Sequence, residues 1–184
     1  MILIGHLGIT LFLCAPLAHV LVASGHRTEV PRWVGIALVV TLLPDFDFIL
    51  PWFTHRGVTH SLLAAGCFGV VAAVAGSKWD TTPISPDNRV RQAKIGFAVG
   101  AGSTVGHLVG DLITPMGIRP FFPFDSVYTL DLVYAKDMGA NLAFVVVGVV
   151  VFWTVYRRSK DPMSTDGAAS SAPTADSDVR SINP

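Results

Sequence analysis

Apolar residues run along this chain in long blocks broken by short polar islands, not in the alternating or 3.6-residue patterns of half-buried elements. Five blocks, approximately residues 2–24, 33–53, 59–76, 93–115 and 139–156, approach the roughly 20 apolar residues that a helix needs to cross a bilayer core. The pattern predicts an all-α fold: an integral membrane bundle of about five transmembrane helices, forming one helical domain over residues 1–160. The second block is interrupted near its end by Pro44-Asp45-Phe46-Asp47. Irregular backbone at that depth is tolerated only where it is buried in protein or lines a wet cavity, so re-entrant or tilted half-helices around 44–60 are one option. Residues 116–138 carry Phe121, Phe122, Phe124, Tyr128 and Tyr134 with Asp125, Asp131 and Asp137, which reads as an interfacial loop, a candidate lid. Residues 161–184, rich in Ser, Ala, Asp and Pro, read as a disordered cytoplasmic tail.

Charge sets the direction. With five spans, Arg27, Arg32, Lys78, Arg89, Arg91, Lys94, Arg157, Arg158, Lys160 and Arg180 share one side, against Arg56, Arg119 and Lys136 on the other. The positive-inside rule then puts the N-terminus outside and the C-terminus in the cytoplasm of a multi-pass inner- or plasma-membrane protein. Composition agrees, with 51% hydrophobic and 14% charged residues and a mean hydropathy of +0.55. Net charge is zero and no basic run exists, which removes the argument for a nucleic-acid partner. Cys14 and Cys67 both fall in apolar blocks and are expected to be buried small hydrophobes, not a disulfide or metal pair. The first block lacks the basic start of a secretory signal and is longer than an h-region. Cleavage after Val22-Ala23-Ser24 would remove His6, which separates the two readings.

The polar islands read Gly5-His6, PDFD (44–47), HRGVTHS (55–61) and GHLVGD (106–111). In the five-span arrangement all of them reach the outer end, bringing together His6, Asp45, Asp47, His55, His60, His107 and Asp111. His19 and His26 fall near the inner end and read as structural or interfacial. Ionisable groups in membrane helices are costly and usually mark a site. His107 and Asp111 are four residues apart, so one helix face can offer both to a single cation. Gly102, Gly106 and Gly110 recur beside them and permit close helix approach. Neutral His with Asp is the ligand chemistry of zinc, with manganese the alternative, and seven candidates suffice for one or two divalent ions. Arg56 is placed to pair with an anion such as phosphate, or with Asp45 or Asp47. The bland readings are an exposed helix cap for PDFD and an incidental packing pair for His107 and Asp111. No G-x-S-x-G, Walker-type loop, H-E-x-x-H or nucleophilic Cys competes.

GH (5–6), LLPDFD (42–47), HRGVTHSLL (55–63) and GHLVGDLITPMGIRPFFPF (106–124) resemble the YdjM-like family of membrane-bound metal-dependent hydrolases, over most of residues 1–124. That resemblance implies a largely helical membrane protein with a metal centre. The order His, Asp, His, H-x-x-x-D is also similar to the zinc-dependent phospholipase C and nuclease P1 group. By that similarity the ligands are His6, Asp45 or Asp47, His60 or His55, His107 and Asp111. The chain departs from the group in having no histidine after His107, which favours one or two ions over three. It also carries Phe48 where close relatives often have a histidine.

The reaction expected is hydrolysis of a phosphoester bond in a membrane lipid or lipid-linked phosphate at the extracytoplasmic surface. A water activated at the metal attacks phosphorus, Asp47 or Asp45 serves as ligand or general base, and Arg56 steadies the developing charge. The rival is a non-catalytic protein that uses the His/Asp cluster for ion or proton handling, or for structure. A conduit needs polar groups through to the inner face. The inner halves of the second to fourth blocks are almost wholly apolar apart from Thr41, Ser103 and Thr104, which favours a one-sided pocket.

Overall fold

The computed structural model describes residues 1–49, 52, 55–79, 86–124 and 126–160; Asp125 and the tail after residue 160 lie outside these. Five α-helices follow in order: α1 (Leu3–Ala23), α2 (Val30–Val40), α3 (Leu62–Lys78), α4 (Pro86–Leu112) and α5 (Met138–Arg158). Short 3-10 segments occupy Arg27–Glu29, Leu43–Phe48 and Val58–His60. There is no strand among the described residues, only an isolated antiparallel bridge between Ile118 and Tyr128. The all-α expectation holds.

The span boundaries need correction. Block 33–53 is not one helix, because α2 has 11 residues. At 1.5 Å per residue that is about 16 Å, half of a bilayer core of about 30 Å. Pro44 has no N–H to continue the α ladder, and the PDFD island folds instead as the 3-10 segment Leu43–Phe48. Among the described helices α1 and α5 are long and apolar enough to cross a membrane, while α3 is a shorter apolar helix. α4 has 27 residues, but Asp87, Arg89, Arg91 and Lys94 load its first turns with charge. Ser61 caps α3 by accepting from the Ala64 amide at 3.2 Å, and Asp137 caps α5 from Ala140 at 3.0 Å.

Two glycine seams hold the helices together. Gly8 of α1 faces Gly148 of α5 so closely that a Cβ on Gly148 would sit on the Gly8 carbonyl oxygen. Gly96 and Gly100 of α4 lie against the backbone of α3 at Ala72 and Phe68 in the same way. The stripe read from sequence is only partly a seam. Gly106 meets Leu13 and Gly110 meets His6, but Gly102 faces open space.

What is buried and what is exposed inverts the pattern of a water-soluble core. Phe12, Val39, Val70, Val71, Val146, Val150 and Trp153 stand on the outside. His6, Thr10, Thr41, His60, Ser103, Thr104, His107, Asp111 and Asn141 are inside. An apolar exterior around a polar interior suits a lipid solvent. The apolar core, with Trp33, Val22, Ala18 and Ala37 at its centre, lies toward one end of the bundle. At that end Glu29 binds Arg91 at 2.6 Å, Arg27 lies over the Tyr156 ring, and His19 Nδ1 meets Ser159 at 3.0 Å. The histidine islands gather at the opposite end. Cys14 is buried as expected; Cys67 is exposed on α3, contrary to its reading as a core residue.

Candidate metal centre

Five segments deliver the site. His6 comes from the first turn of α1, Asp45 and Asp47 from the 3-10 segment after α2, His55 and Arg56 from the following turn, and His60 from the 3-10 segment before α3. His107 and Asp111 come from the last turns of α4, on one face as their spacing requires. Thr114 ends that helix by donating its hydroxyl to the Asp111 carbonyl at 2.7 Å, and Pro115 prevents its continuation.

Asp45, His60, His107 and Asp111 form one convergent donor set. His60 Nε2 and His107 Nε2 are 3.2 Å apart. Asp45 Oδ1 lies 3.5 Å from His60 Nε2 and 3.4 Å from His107 Nε2. Asp111 Oδ2 lies 3.4 Å from His60 Nε2 and 3.7 Å from His107 Nε2. Ligand atoms about 2.0–2.1 Å from a tetrahedral zinc stand about 3.3–3.4 Å from one another, so these are the edges of a zinc-sized cage.

The outer hydrogen bonds choose the tautomers. His107 Nδ1 lies 2.8 Å from the Thr41 carbonyl, which only accepts, so Nδ1 carries the proton and Nε2 keeps its lone pair. His60 Nδ1 lies 3.3 Å from Asp47 Oδ2 and 3.0 Å from the Thr59 hydroxyl, with the same result for His60 Nε2. Two imidazole lone pairs and two carboxylate oxygens therefore converge in a buried space. They repel unless a cation or a shared proton lies among them. The residues fit a divalent metal.

The remaining predicted residues surround the cage without joining it. Asp47 is buried, and both of its oxygens are engaged elsewhere: Oδ1 with His55 Nδ1 at 2.8 Å, Oδ2 with the Arg56 amide at 3.1 Å and the Thr59 hydroxyl at 2.8 Å. Asp47, His55 and His60 form a second cluster through the far side of the His60 ring. The Phe48 ring packs on His55 with centroids 3.7 Å apart, occupying the place where relatives were expected to carry another imidazole. His6 stacks on His107 with centroids 3.9 Å apart and planes 12° from parallel. It is fully buried, Nε2 is 3.4 Å from Asp111 Oδ1, and neither ring nitrogen has a hydrogen-bond partner among the described residues.

Arg56 pairs with neither Asp45 nor Asp47 through its guanidinium. Nη2 donates to Asp111 Oδ1 at 2.9 Å, and Nη1 to the Gly117 carbonyl at 2.8 Å and the Thr114 hydroxyl at 3.3 Å. Its backbone is left-handed, with φ of +60°, a conformation that costs a non-glycine residue about 1–3 kcal/mol and clusters at functional sites. Sequence reading missed Thr59, Thr114 and the Thr41 carbonyl as orienting groups. The threonines sit beside or within the motifs, next to His60 and Pro115, but a carbonyl leaves no mark in a sequence.

The 116–138 loop folds back on the site end. Leu130 donates its amide to the Leu112 carbonyl, and Leu132 and Val133 both donate to Ile113, satisfying carbonyls that the end of α4 leaves without helical partners. Phe121, Phe124, Tyr128, Leu132 and Tyr134 remain exposed on its outer surface. A family model described as YdjM inner membrane protein matches residues 1–166. No curated protein and no solved structure matches the chain.

Proposed function

This chain belongs to the YdjM inner membrane protein family, and on that premise we propose that it is a membrane-bound, metal-dependent hydrolase. It cleaves phosphoester bonds of lipid or lipid-linked substrates at the extracytoplasmic surface. The observation that carries the reading is the four-donor cage of Asp45, His60, His107 and Asp111, with each imidazole held so that its lone pair points inward. In our reading the helices cross or enter the bilayer with the basic end of the bundle in the cytoplasm and the cage near the outer surface.

Asp45, His60, His107 and Asp111 would hold one ion, zinc by donor type and spacing, with manganese the alternative. Such an ion supplies Lewis acidity, which polarises a phosphoryl oxygen and makes a water acidic near neutral pH. The protein's own groups do the rest. Arg56, anchored by Asp111 and Gly117, faces negative charge that develops beside the cage. His55, oriented through Nδ1 by Asp47, leaves Nε2 to take or give a proton at the partly open side. Asp47, its oxygens committed, acts through His55, His60 and Arg56 and not as a base itself. His6 closes the wall behind His107.

An ion conduit is the rival use of the same groups. Beneath His107 the polar line runs through Thr41, whose hydroxyl accepts from Thr10 at 2.8 Å and donates to the Ser103 carbonyl at 3.3 Å. It then meets a cavity walled mostly by Leu13, Cys14, Leu17, Ala37 and Val99. That apolar floor supports a one-sided pocket.

The test is metal content of detergent-purified protein by elemental mass spectrometry, for wild type, His107→Ala and Asp111→Ala. One equivalent of zinc or manganese, lost in both variants while the helical circular dichroism persists, is expected and justifies screening phospholipids as substrates. A wild type that holds no metal even after reloading overturns the hydrolase reading.

A further inference from the structure

Beside Arg56 lies a small polar cavity of about 150 Å³, lined by His55, Arg56, Gly117, Ile118, Arg119 and Val127. Two guanidinium-bearing residues and an imidazole share this space, with no carboxylate among its described lining residues. Arg56 Nε is buried and has no hydrogen-bond acceptor among the described residues, although both Nη atoms are engaged. A buried guanidinium N–H without a partner is a costly vacancy for an anionic oxygen. Asp111 bridges this cavity to the cage, accepting from Arg56 through Oδ1 and facing the histidines through Oδ2.

Ile118 and Val127 also line a second, larger cavity of about 640 Å³ on the other side. Its walls are Leu62, Leu108, Leu112, Phe121 and Leu130 among others, and of its lining side chains only Tyr128 and Thr129 carry a hydroxyl. The volume falls in the range of roughly 300–1,000 Å³ typical of ligand sites. It opens between α4 and the 118–130 loop, where Phe121 and Tyr128 are exposed at the level of the site. An anion pocket and a hydrocarbon groove therefore adjoin along Ile118 and Val127, and Arg56 joins the pocket to the cage through Asp111.

We propose that these two cavities form a single subsite for one amphiphilic molecule, a membrane lipid whose phosphate sits against Arg56 and Arg119 and whose acyl chain lies in the α4–loop groove. This rests on the hydrolase reading of the same site and supplies its substrate class. Charge complementarity selects the anionic head, and the groove selects a chain. The lipid enters sideways from the bilayer, with its phosphate delivered beside Asp111 and the cage. A water-soluble phosphate uses only half of the subsite.

The experiment is equilibrium binding to full-length, metal-loaded protein in a neutral detergent, with oleoyl lysophosphatidic acid, monooleoylglycerol and glycerol phosphate as probes. Lysophosphatidic acid should bind tightest, because each buried methylene is worth about fourfold. Arg119→Gln should weaken it about tenfold and leave monooleoylglycerol unchanged. Leu130→Trp, on the loop wall of the groove, should bring lysophosphatidic acid down toward glycerol phosphate; Val109→Trp, on the α4 wall, is the second variant should the first lose its metal. Wild-type binding in both Arg119→Gln and a folded groove variant overturns the proposal, as does equal affinity for glycerol phosphate and lysophosphatidic acid. Binding is read without turnover, so a protein that discriminates in this way but never hydrolyses the lipid fails the activity reading alone. One that holds metal without discriminating fails this inference alone.

Discussion

Gly102→Ala and Gly110→Ala make the same chemical change about two helical turns apart on α4, and they are expected to act in opposite directions. An alanine Cβ at 102 meets nothing within 4 Å. There the substitution gains the ordinary helix preference of alanine over glycine, about 0.8–1 kcal/mol. At 110 the same atom would lie 2.6 Å from His6 Nδ1, 2.9 Å from His6 Cε1 and 3.2 Å from Ile9. His6 cannot yield freely, because it is fully buried with its ring stacked on His107. Overpacking of this kind costs about 1–3 kcal/mol, which outweighs the helix gain. The helix gain is common to both, so the two variants should differ by the overpacking cost, about 1–3 kcal/mol, or roughly 2–12 °C in Tm at about 2–4 °C per kcal/mol. Thermal unfolding in detergent, followed by tryptophan fluorescence, reads the difference. Gly110→Ala at or above the wild-type Tm would refute the placement of His6 against α4, and with it the geometry of the cage wall.

Asp47→Asn keeps all four cage donors but disturbs the groups that orient His60 and His55. It should lower metal affinity about 10–100-fold and recover occupancy in excess metal. Asp45→Asn should not recover so readily, and equal affinities of the two variants in a metal titration would contradict the assigned roles. At the opposite end, burial alone would raise the Glu29 carboxyl, but hydrogen bonds from Arg91, Gln92 and Trp33 outweigh it and hold the group below its ordinary value. A depressed carboxyl contributes stability above its unfolded pKa of about 4.3, and this is lost as pH falls through the folded value. Glu29→Gln should cost about 1–2 kcal/mol at neutral pH and flatten the acid dependence of Tm; an unchanged acid limb would count against the cluster.

Much of the site was legible because its spacing is local. His107 and Asp111 share a face by helix geometry alone, and their polar company in apolar blocks marked all four islands. The division of labour was not legible. Asp45 and Asp47 are two residues apart in a 3-10 turn of three residues per turn, so they point about a third of a turn apart. One faces the cage and the other faces His55 and Arg56. The break in block 33–53 was marked by Pro44 and the two aspartates, but not how early α2 stops, at Val40, since Leu42 and Leu43 continue the apolar run. The glycine pattern misled for a related reason. A four-residue repeat fixes a helix face, but only the neighbouring helix decides whether that face is covered, as at Gly110 and not at Gly102.

The contact of Gly8 with Gly148 couples the first helix to the last, and that has a consequence for how the protein is made. α1 leaves the ribosome carrying His6 and Thr10, whose partners Thr41, His107 and Asp111 belong to helices not yet synthesised. Its closest backbone neighbour, α5, is the last of the described helices to appear. α1 therefore waits through most of translation with polar groups uncovered, and closure of the bundle is a late, long-range event. During that interval the nascent chain is most exposed to membrane proteases and to mispairing through its glycine faces. The yield of folded protein should then depend on the rate at which α5 arrives, an aspect of the molecule that its finished form conceals.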